Sequence, residues 1–333
     1  YQGRGTLDYL LHYCSFAVKA LFLGIILGMK RRPDVLWATS PPLMCGSAGA
    51  LVSITLRVPL VLDVRDIWPD SAAASGVVSE DSRWFRLAQS LERFTYHQAR
   101  VLTCVSTSMK QHLRTKVAEK EVSVIFNGVP EFRLNEVPGS NTIEKRIVYA
   151  GNIGRAQGVD LFVDSFLCAN DKAGQSEWNL VLIGDGALRE YIENKVAKLN
   201  VGNLIKILSP MRKPELFDYL MSSNTLLLGL KDHPAFALTI PSKVFDYLAM
   251  NRPIVAMVSG EAASLLRENP YNKIVPPEDG KALTAELVQL INGVFPSEYP
   301  ISNHSLLKQT YTREKNTICL EHVLERASSV EGS

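Results

Sequence analysis

Cysteine is scarce and scattered in this chain. Cys14, Cys45, Cys104, Cys168 and Cys319 are odd in number and contain no Cys-x-x-Cys pair. That spacing supports neither a disulfide framework nor a zinc site, and a reducing cytoplasm is the expected compartment. The six histidines (His12, His97, His112, His233, His304 and His322) have no ligand spacing. No Asp-x-Asp occurs, which removes the usual way of presenting a divalent metal to a diphosphate. No Gly-x-Ser-x-Gly elbow occurs either, so Ser-His-Asp chemistry is not indicated. Charge of one sign is lacking as well: 36 basic residues against 34 acidic ones leave a net charge of +2. That balance argues against a nucleic-acid binder held by bulk charge. There is no short tandem repeat, and no low-complexity tract beyond the polar tail from Ser328 to Ser333.

What is present suits a two-domain α/β protein. A length of 333 residues with 46% hydrophobic content allows two halves, each with its own core. The stretch from Tyr9 to Arg32 is apolar, interrupted by His12 and Lys19, and ends in Lys30, Arg31 and Arg32. A signal peptide is expected to carry its cations before the apolar run rather than after it, and the interruptions make a poor membrane span. Two readings stay open. The favoured one is a buried helix of an α/β domain; the other is a helix with one face in a bilayer surface.

Short apolar runs then alternate with helical patterns. The expected strands are Asp34–Thr39, Pro59–Val64, Val101–Val105, Val122–Phe126, Arg146–Ala150, Trp178–Ile183, Leu204–Leu208, Thr225–Gly229, Ile254–Ala256 and Asn272–Val275. Such alternation implies parallel sheets wound on both faces. The division expected is an N-terminal domain over 1–129, a linker over 130–145, a second domain over 146–310, and a C-terminal helix over 311–333; the stretch from Ser305 to Ala327 reads as helix throughout.

Three strand ends in the second half carry phosphate- or hydroxyl-friendly chemistry. Gly151, Gly154 and Gly158 follow a strand and precede a helix, where backbone can approach a diphosphate and Arg155 can pair with it. The spacing is neither the dinucleotide fingerprint nor a P-loop. Gly184-Asp-Gly186 ends the next strand. Pro241 or Ser242 opens a helix whose free N–H groups suit an anion, and Asp246 lies one turn further on, able to accept from sugar hydroxyls. An ordinary αβ unit with a solvated Asp fits that last segment equally well. In the first half Asp63, Arg65, Asp66 and Asp70 crowd one strand end. They form either a hydroxyl-positioning carboxylate group or a structural Arg–Asp pair.

Four segments, Val64–Ser71, Tyr149–Gly158, Leu182–Gly186 and Pro241–Ala249, come in an order that resembles the retaining glycosyltransferases of family 4. Within them the subgroup similar to bacterial N-acetylfucosaminyl-type transferases of O-antigen and capsule synthesis is nearest. The resemblance implies a GT-B fold: two Rossmann-like doubly wound domains facing across a cleft, the nucleotide sugar on the C-terminal one and the acceptor on the N-terminal one. It implies transfer with retention from a UDP-type donor to a lipid-linked glycan, with no cofactor and no bound metal. The location implied is the inner face of the plasma membrane, with contact through residues 9–32. By resemblance Gly151, Asn152 and Gly184 border the donor diphosphate, Ser242 and Lys243 open its helix, and Asp246 holds the ribose. Asp66, with Arg65 beside it, is the acidic position of the acceptor-side loop. The C-terminal helix is expected to cross back onto the first domain.

The chain departs from the family at three places. The first glutamate of the family's acidic pair falls on Leu238. The cationic residues of the phosphate loop align with Asn152 and Gln157, leaving Arg155, Lys243 and Arg252 to supply positive charge. The family's opening strand and glycine-rich loop have no counterpart, so a truncated N-terminal domain is expected. A nucleotide-sugar 2-epimerase, or a GT-B protein that binds sugar nucleotides without turnover, would share the architecture. The epimerase would need His- and Glu-rich catalytic positions that the chain lacks.

Overall fold

The computed structural model describes residues 6–135, 143–174, 176–293 and 303–329, with side chains from Leu11 onward. The centre of the expected linker (136–142) and the last residues of the polar tail lie outside the described residues. The chain forms two compact units, Tyr1–Phe126 with Glu314–Ser333, and Asn127–Arg313.

The first unit holds a parallel sheet of β1 (Leu36–Ser40), β2 (Leu60–Val64), β3 (Val101–Cys104) and β4 (Glu121–Val124), in that spatial order. Every residue of β2 and β3 is buried. This is the pattern of a parallel sheet covered on both faces, which is why both strands read as unbroken apolar runs. Two of its helices, Arg83–Gln98 and Thr107–Lys116, start where hydroxyls cap them: Ser82 accepts from Phe85 N–H and Ser106 from Met109 N–H, each at 3.1 Å. The C-terminal helix Arg313–Ser329 lays Val323 and Ala327 against Val61 and Val101 of this sheet.

Two expectations are overturned. The N-terminal segment is not a buried core helix. Helix Thr6–Lys30 packs along helix Leu43–Leu56 and leaves Phe16, Phe22, Leu23, Leu27 and Met29 exposed. By length and composition alone it is also apolar enough to cross a membrane. The stretch after Ser305 is not one helix. Helices His304–Thr310 and Arg313–Ser329 are separated at Tyr311-Thr312, where the backbone leaves the helix to pair with Val129. Val129 N–H donates to Tyr311 O at 3.0 Å and Arg313 N–H to Val129 O at 2.9 Å.

The second unit holds six parallel strands: β5 (Glu144–Ala150), β6 (Asn179–Ile183), β7 (Ile205–Leu208), β8 (Ser223–Gly229), β9 (Ile254–Met257) and β10 (Lys273–Val275). Their spatial order is β10-β9-β8-β5-β6-β7. Read from β7 this is the 3-2-1-4-5-6 order of a Rossmann sheet, with its switch point between β5 and β8. Phe162 and Phe166 of helix Val159–Lys172 pack with Tyr149, Leu180 and Leu227 into the core of this unit. Pairing of β5 with β8 runs only to Val148 and Leu226. Beyond it the buried Tyr247 hydroxyl takes over, accepting from Ala150 N–H at 2.8 Å and donating to Ala150 O at 3.3 Å. The strands therefore part where an open sheet of this order is expected to receive a ligand.

Candidate functional site

The loops after β5 and β6 interlock at that switch point. Gly151 N–H donates to Ile183 O and Ile153 N–H to Asp185 O, both at 2.8 Å, and Leu188 N–H returns to Ile153 O at 2.9 Å. Gly184 has φ +151, and a Cβ there would lie 1.8 Å from Gly151 O. Only glycine permits that approach of the two backbones. The loops border a cavity of about 310 Å³, lined among others by Gly151, Gly184, Asp185, Pro210, Met211 and Leu216. Its volume lies at the small end of ligand pockets, of the order of 300 Å³ upward. Reading the sequence identified Gly151 and Gly184 but missed Pro210, Met211 and Leu216. The available signal was their position just after β7, on the carboxyl edge of the sheet.

Helix Ser242–Ala249 comes to the same edge, with Pro241 ahead of it in extended conformation and making no side-chain cap. Its first N–H groups therefore have no partner from a capping side chain, and Ser242 is exposed. Lys243 points from this helix to β5. Its Nζ donates to the Tyr149 hydroxyl at 3.0 Å and lies 4.3 Å from the Tyr149 ring centroid. A Cβ on Gly151 would sit 2.5 Å from the Lys243 ammonium. Tyr149 in turn donates to Asn152 O at 2.6 Å. Burial pushes the Lys243 pKa down to about 8 and lifts Tyr149 well above the usual phenol range. Among the described residues no carboxylate forms an ion pair with Lys243. A desolvated ammonium beside a glycine backbone is a ready anion site.

The other residues expected to touch the donor are distributed unevenly. Asn152 lines the same cavity, and both it and Arg155 are exposed on the loop after β5. The Gln157 Oε1 is buried and has no hydrogen-bond partner among the described residues. Asp246 is half-buried; burial raises its pKa, while Lys213, Arg313 and Arg133 pull it down. Arg252 is not at this edge. It lies in the turn just before β9, at the amino end of that strand, so the parallel sheet separates it from the glycine loops. Leu238 ends the short helix Pro234–Ala237 and is half-buried.

In the first unit Asp63 is the structural carboxylate, accepting from Thr103 Oγ1 at 2.7 Å and from Arg65 Nη1 at 3.2 Å. Arg65 is thereby tied to Asp63 while its side chain stays 48% exposed. Asp66 is held by the Ser71 hydroxyl and the Ile67 N–H, and burial outweighs both to raise its pKa. Behind this loop Lys116 Nζ reaches both oxygens of buried Glu92, at 2.8 and 2.9 Å, and lies 3.8 Å from Asp70. Tyr96 also hydrogen-bonds Glu92. A proton acceptor such as Asp66, fixed at a strand end, can position a hydroxyl. Among the described residues no three His, Cys, Asp or Glu side chains gather as a metal site.

Comparison with known proteins agrees with this division. A family model described as Glycosyl transferase 4-like domain matches residues 3–128, and one described as Glycosyl transferases group 1 matches residues 144–293. WbjE of Pseudomonas aeruginosa, named as a probable glycosyltransferase, is 25% identical over 92% of this chain and 79% of its own length. WcaI of Escherichia coli (strain K12), named for glycosyl transfer in colanic acid biosynthesis, is 24% identical over 86% of this chain and 73% of its own length. The pneumococcal O-GlcNAc transferase GtfA, solved with UDP and GlcNAc, superposes with a TM-score of 0.65 at 9% identity, over 86% of this chain. This chain spans 55% of the length of that structure. With both units matched in sequence and their parallel sheets matched in fold, the chain belongs to the glycosyltransferases of the GT-B type.

Proposed function

We propose that the protein moves a sugar, N-acetylated or deoxy, from a UDP-type nucleotide sugar to a lipid-linked glycan during cell-surface polysaccharide synthesis, at the inner face of the membrane. The observation that carries the reading is Lys243, a half-buried ammonium with no carboxylate paired to it among the described residues, placed against Gly151 where β5 and β8 part. The names of WbjE and WcaI, and the UDP in the GtfA structure, support the class of donor and of product.

In this reading the base enters the cavity beside Pro210 and Met211. The diphosphate lies over Gly151, against Lys243 and the N–H groups that open helix Ser242–Ala249. Asp246 accepts from the ribose hydroxyls, and the Gln157 Oε1 accepts from the sugar. The bond from the anomeric carbon to the phosphate oxygen breaks as the acceptor oxygen attacks on the same face, and the leaving phosphate takes the acceptor proton. Lys243 and Arg155 offset the charge that grows on the diphosphate, the quantity electrostatic catalysis acts on. Asp66 orients the acceptor hydroxyl. No metal takes part.

The test is a panel of nucleoside diphosphates and UDP-sugars, read by thermal shift with and without magnesium, followed by transfer to a polyprenyl-diphosphate-linked sugar. Stabilisation by UDP independent of magnesium, with turnover of one UDP-sugar, is expected. Asp66→Asn should lower transfer by roughly 10²-fold, the scale of a lost proton-positioning group, with UDP affinity unchanged. A loss of UDP affinity in that variant would remove Asp66 from the acceptor side. Leu238, standing where the family has a glutamate, favours a second reading as a binder without turnover. Slow hydrolysis of the donor in the absence of acceptor would exclude it.

A further inference from the structure

The hydroxyl of Tyr149 stands between the Lys243 ammonium and the loop that borders the donor cavity. Tyr149 is a core residue: it is fully buried, and its ring lies 5.5 Å, centroid to centroid, from that of Phe162. A ring locked in a packed core fixes its hydroxyl in place, which the flexible stem of a lysine cannot do for its own charge. The directions of its two hydrogen bonds follow from the partners. An ammonium can only donate and a carbonyl can only accept. The single phenol hydrogen therefore goes to Asn152 O, 2.6 Å away, and an oxygen lone pair faces Lys243 Nζ, 3.0 Å away. A Cβ on Gly151 would lie 2.5 Å from that ammonium and 3.5 Å from the hydroxyl, so both groups lie against bare glycine backbone.

The chemistry of this partner matters as much as its place. A carboxylate here would hold Lys243 as firmly but would cancel its charge. A phenol that burial keeps protonated accepts the hydrogen bond and leaves the positive charge for a ligand. The titratable groups on the same loops and helix are engaged elsewhere. Asp246 has Lys213, Arg313 and Arg133 around it, the Asp185 carboxylate accepts from Gly186 N–H at 2.8 Å, and the Tyr247 hydroxyl is taken up by Ala150. Among the described residues Lys243 makes no hydrogen bond besides the one to Tyr149. We propose that Tyr149 is a positioning residue of the donor site: its hydroxyl, aimed by the Asn152 carbonyl, holds the Lys243 ammonium beside Gly151 with its charge intact for the diphosphate. The inference rests on the donor reading of that site and adds to it a residue that acts through Lys243.

Tyr149→Phe tests it, since that change removes one oxygen and keeps the buried ring. Two readouts are taken on the full chain. The first needs no nucleotide: competitive acetylation of Lys243 as a function of pH, followed by peptide mass spectrometry. In the parent the reactive amine should appear with a midpoint near pH 8. Losing an acceptor that favours the charged form should lower the midpoint in Tyr149→Phe by roughly half a unit or more. The second readout is UDP affinity by titration calorimetry at pH 7. It should fall about fivefold in Tyr149→Phe, the scale of one net hydrogen bond, but less than about twofold when the same change is made in Lys243→Met. Tyr247→Phe serves as the comparison, a phenol that holds backbone only: it should lower stability and leave the Lys243 midpoint near pH 8. An unshifted midpoint in Tyr149→Phe would overturn the proposal. So would an equal shift in Tyr247→Phe, or an equal loss of UDP affinity with and without Lys243. A midpoint that shifts in a protein unable to bind UDP would uphold the hold on Lys243 and sink the donor reading instead.

Discussion

Lys116 in the four-stranded unit and Lys243 in the six-stranded unit both hold an ammonium away from bulk water, yet their surroundings differ. Lys116 grips both oxygens of Glu92, with Asp70 close by. Lys243 meets a neutral phenol and its ring. Burying a charge is costly unless it is paired. The first lysine therefore completes a structural network behind the Asp66 loop. The second remains incomplete until an anion arrives. The same residue type, read only as a basic position in a sequence, does not distinguish the two.

The largest expected effect tests the structural half of this contrast. Lys116→Met leaves Glu92 buried and uncompensated, and should cost about 3–5 kcal/mol in denaturant unfolding. Removing both partners, Lys116→Met with Glu92→Leu, should recover much of that loss. If the single variant is as stable as the parent, the network is not structural.

Next comes Lys243→Met. It deletes a half-buried charge that no carboxylate among the described residues offsets, so stability should hold or rise, while UDP affinity falls by about 1.5–3 kcal/mol, the usual range for a charge-assisted hydrogen bond. Titration calorimetry measures this directly, and an unfolded variant with intact affinity in the residual folded fraction would reverse the contrast. Asp246→Ala should be milder, about 1 kcal/mol in UDP affinity, with little change in melting temperature. Unchanged affinity would take the ribose away from Asp246.

The smallest effect is in pH. The Lys243 ammonium has a pKa of about 8 in the free protein, against 10.5 unperturbed. An anion favours the charged form, so above pH 8 the protein must take up a proton to bind. UDP affinity should then fall about fourfold between pH 7 and 8.5, and the fall should vanish in Lys243→Met. The sign for stability is opposite. Between pH 8 and 10.5 the unfolded chain keeps this proton and the folded one does not, so the lysine's contribution to stability rises with pH.

The ten strands among the described residues were legible because parallel strands covered on both faces are short apolar runs, and Gly or Pro marks their ends. The glycine loops were legible for the same reason. What local pattern does not carry is contact across long separations. Tyr247 reaches Ala150 over 97 residues, and that hydroxyl is what opens the switch point. The pairing of Thr312 with Val129 breaks a helix that looks continuous in periodicity. Pro210, Met211 and Leu216 have no motif of their own and acquire meaning only beside Gly184. Helix Thr6–Lys30 misleads differently. Its apolar content is equally consistent with a buried and with an outward-facing helix, and only the packing of Gly24 and Gly28 on Val52 and Leu56, which leaves Phe22 and Leu27 exposed, separates them.

The segment Glu314–Ser333 folds with residues that precede it by some two hundred positions. Val323 and Ala327 shield Val61 and Val101, and Arg326 reaches Glu121 at 2.8 Å. The amino-terminal half is therefore not heritable as one uninterrupted stretch. Any exchange of that half between relatives by recombination must carry the tail along, or leave two sheet valines wet.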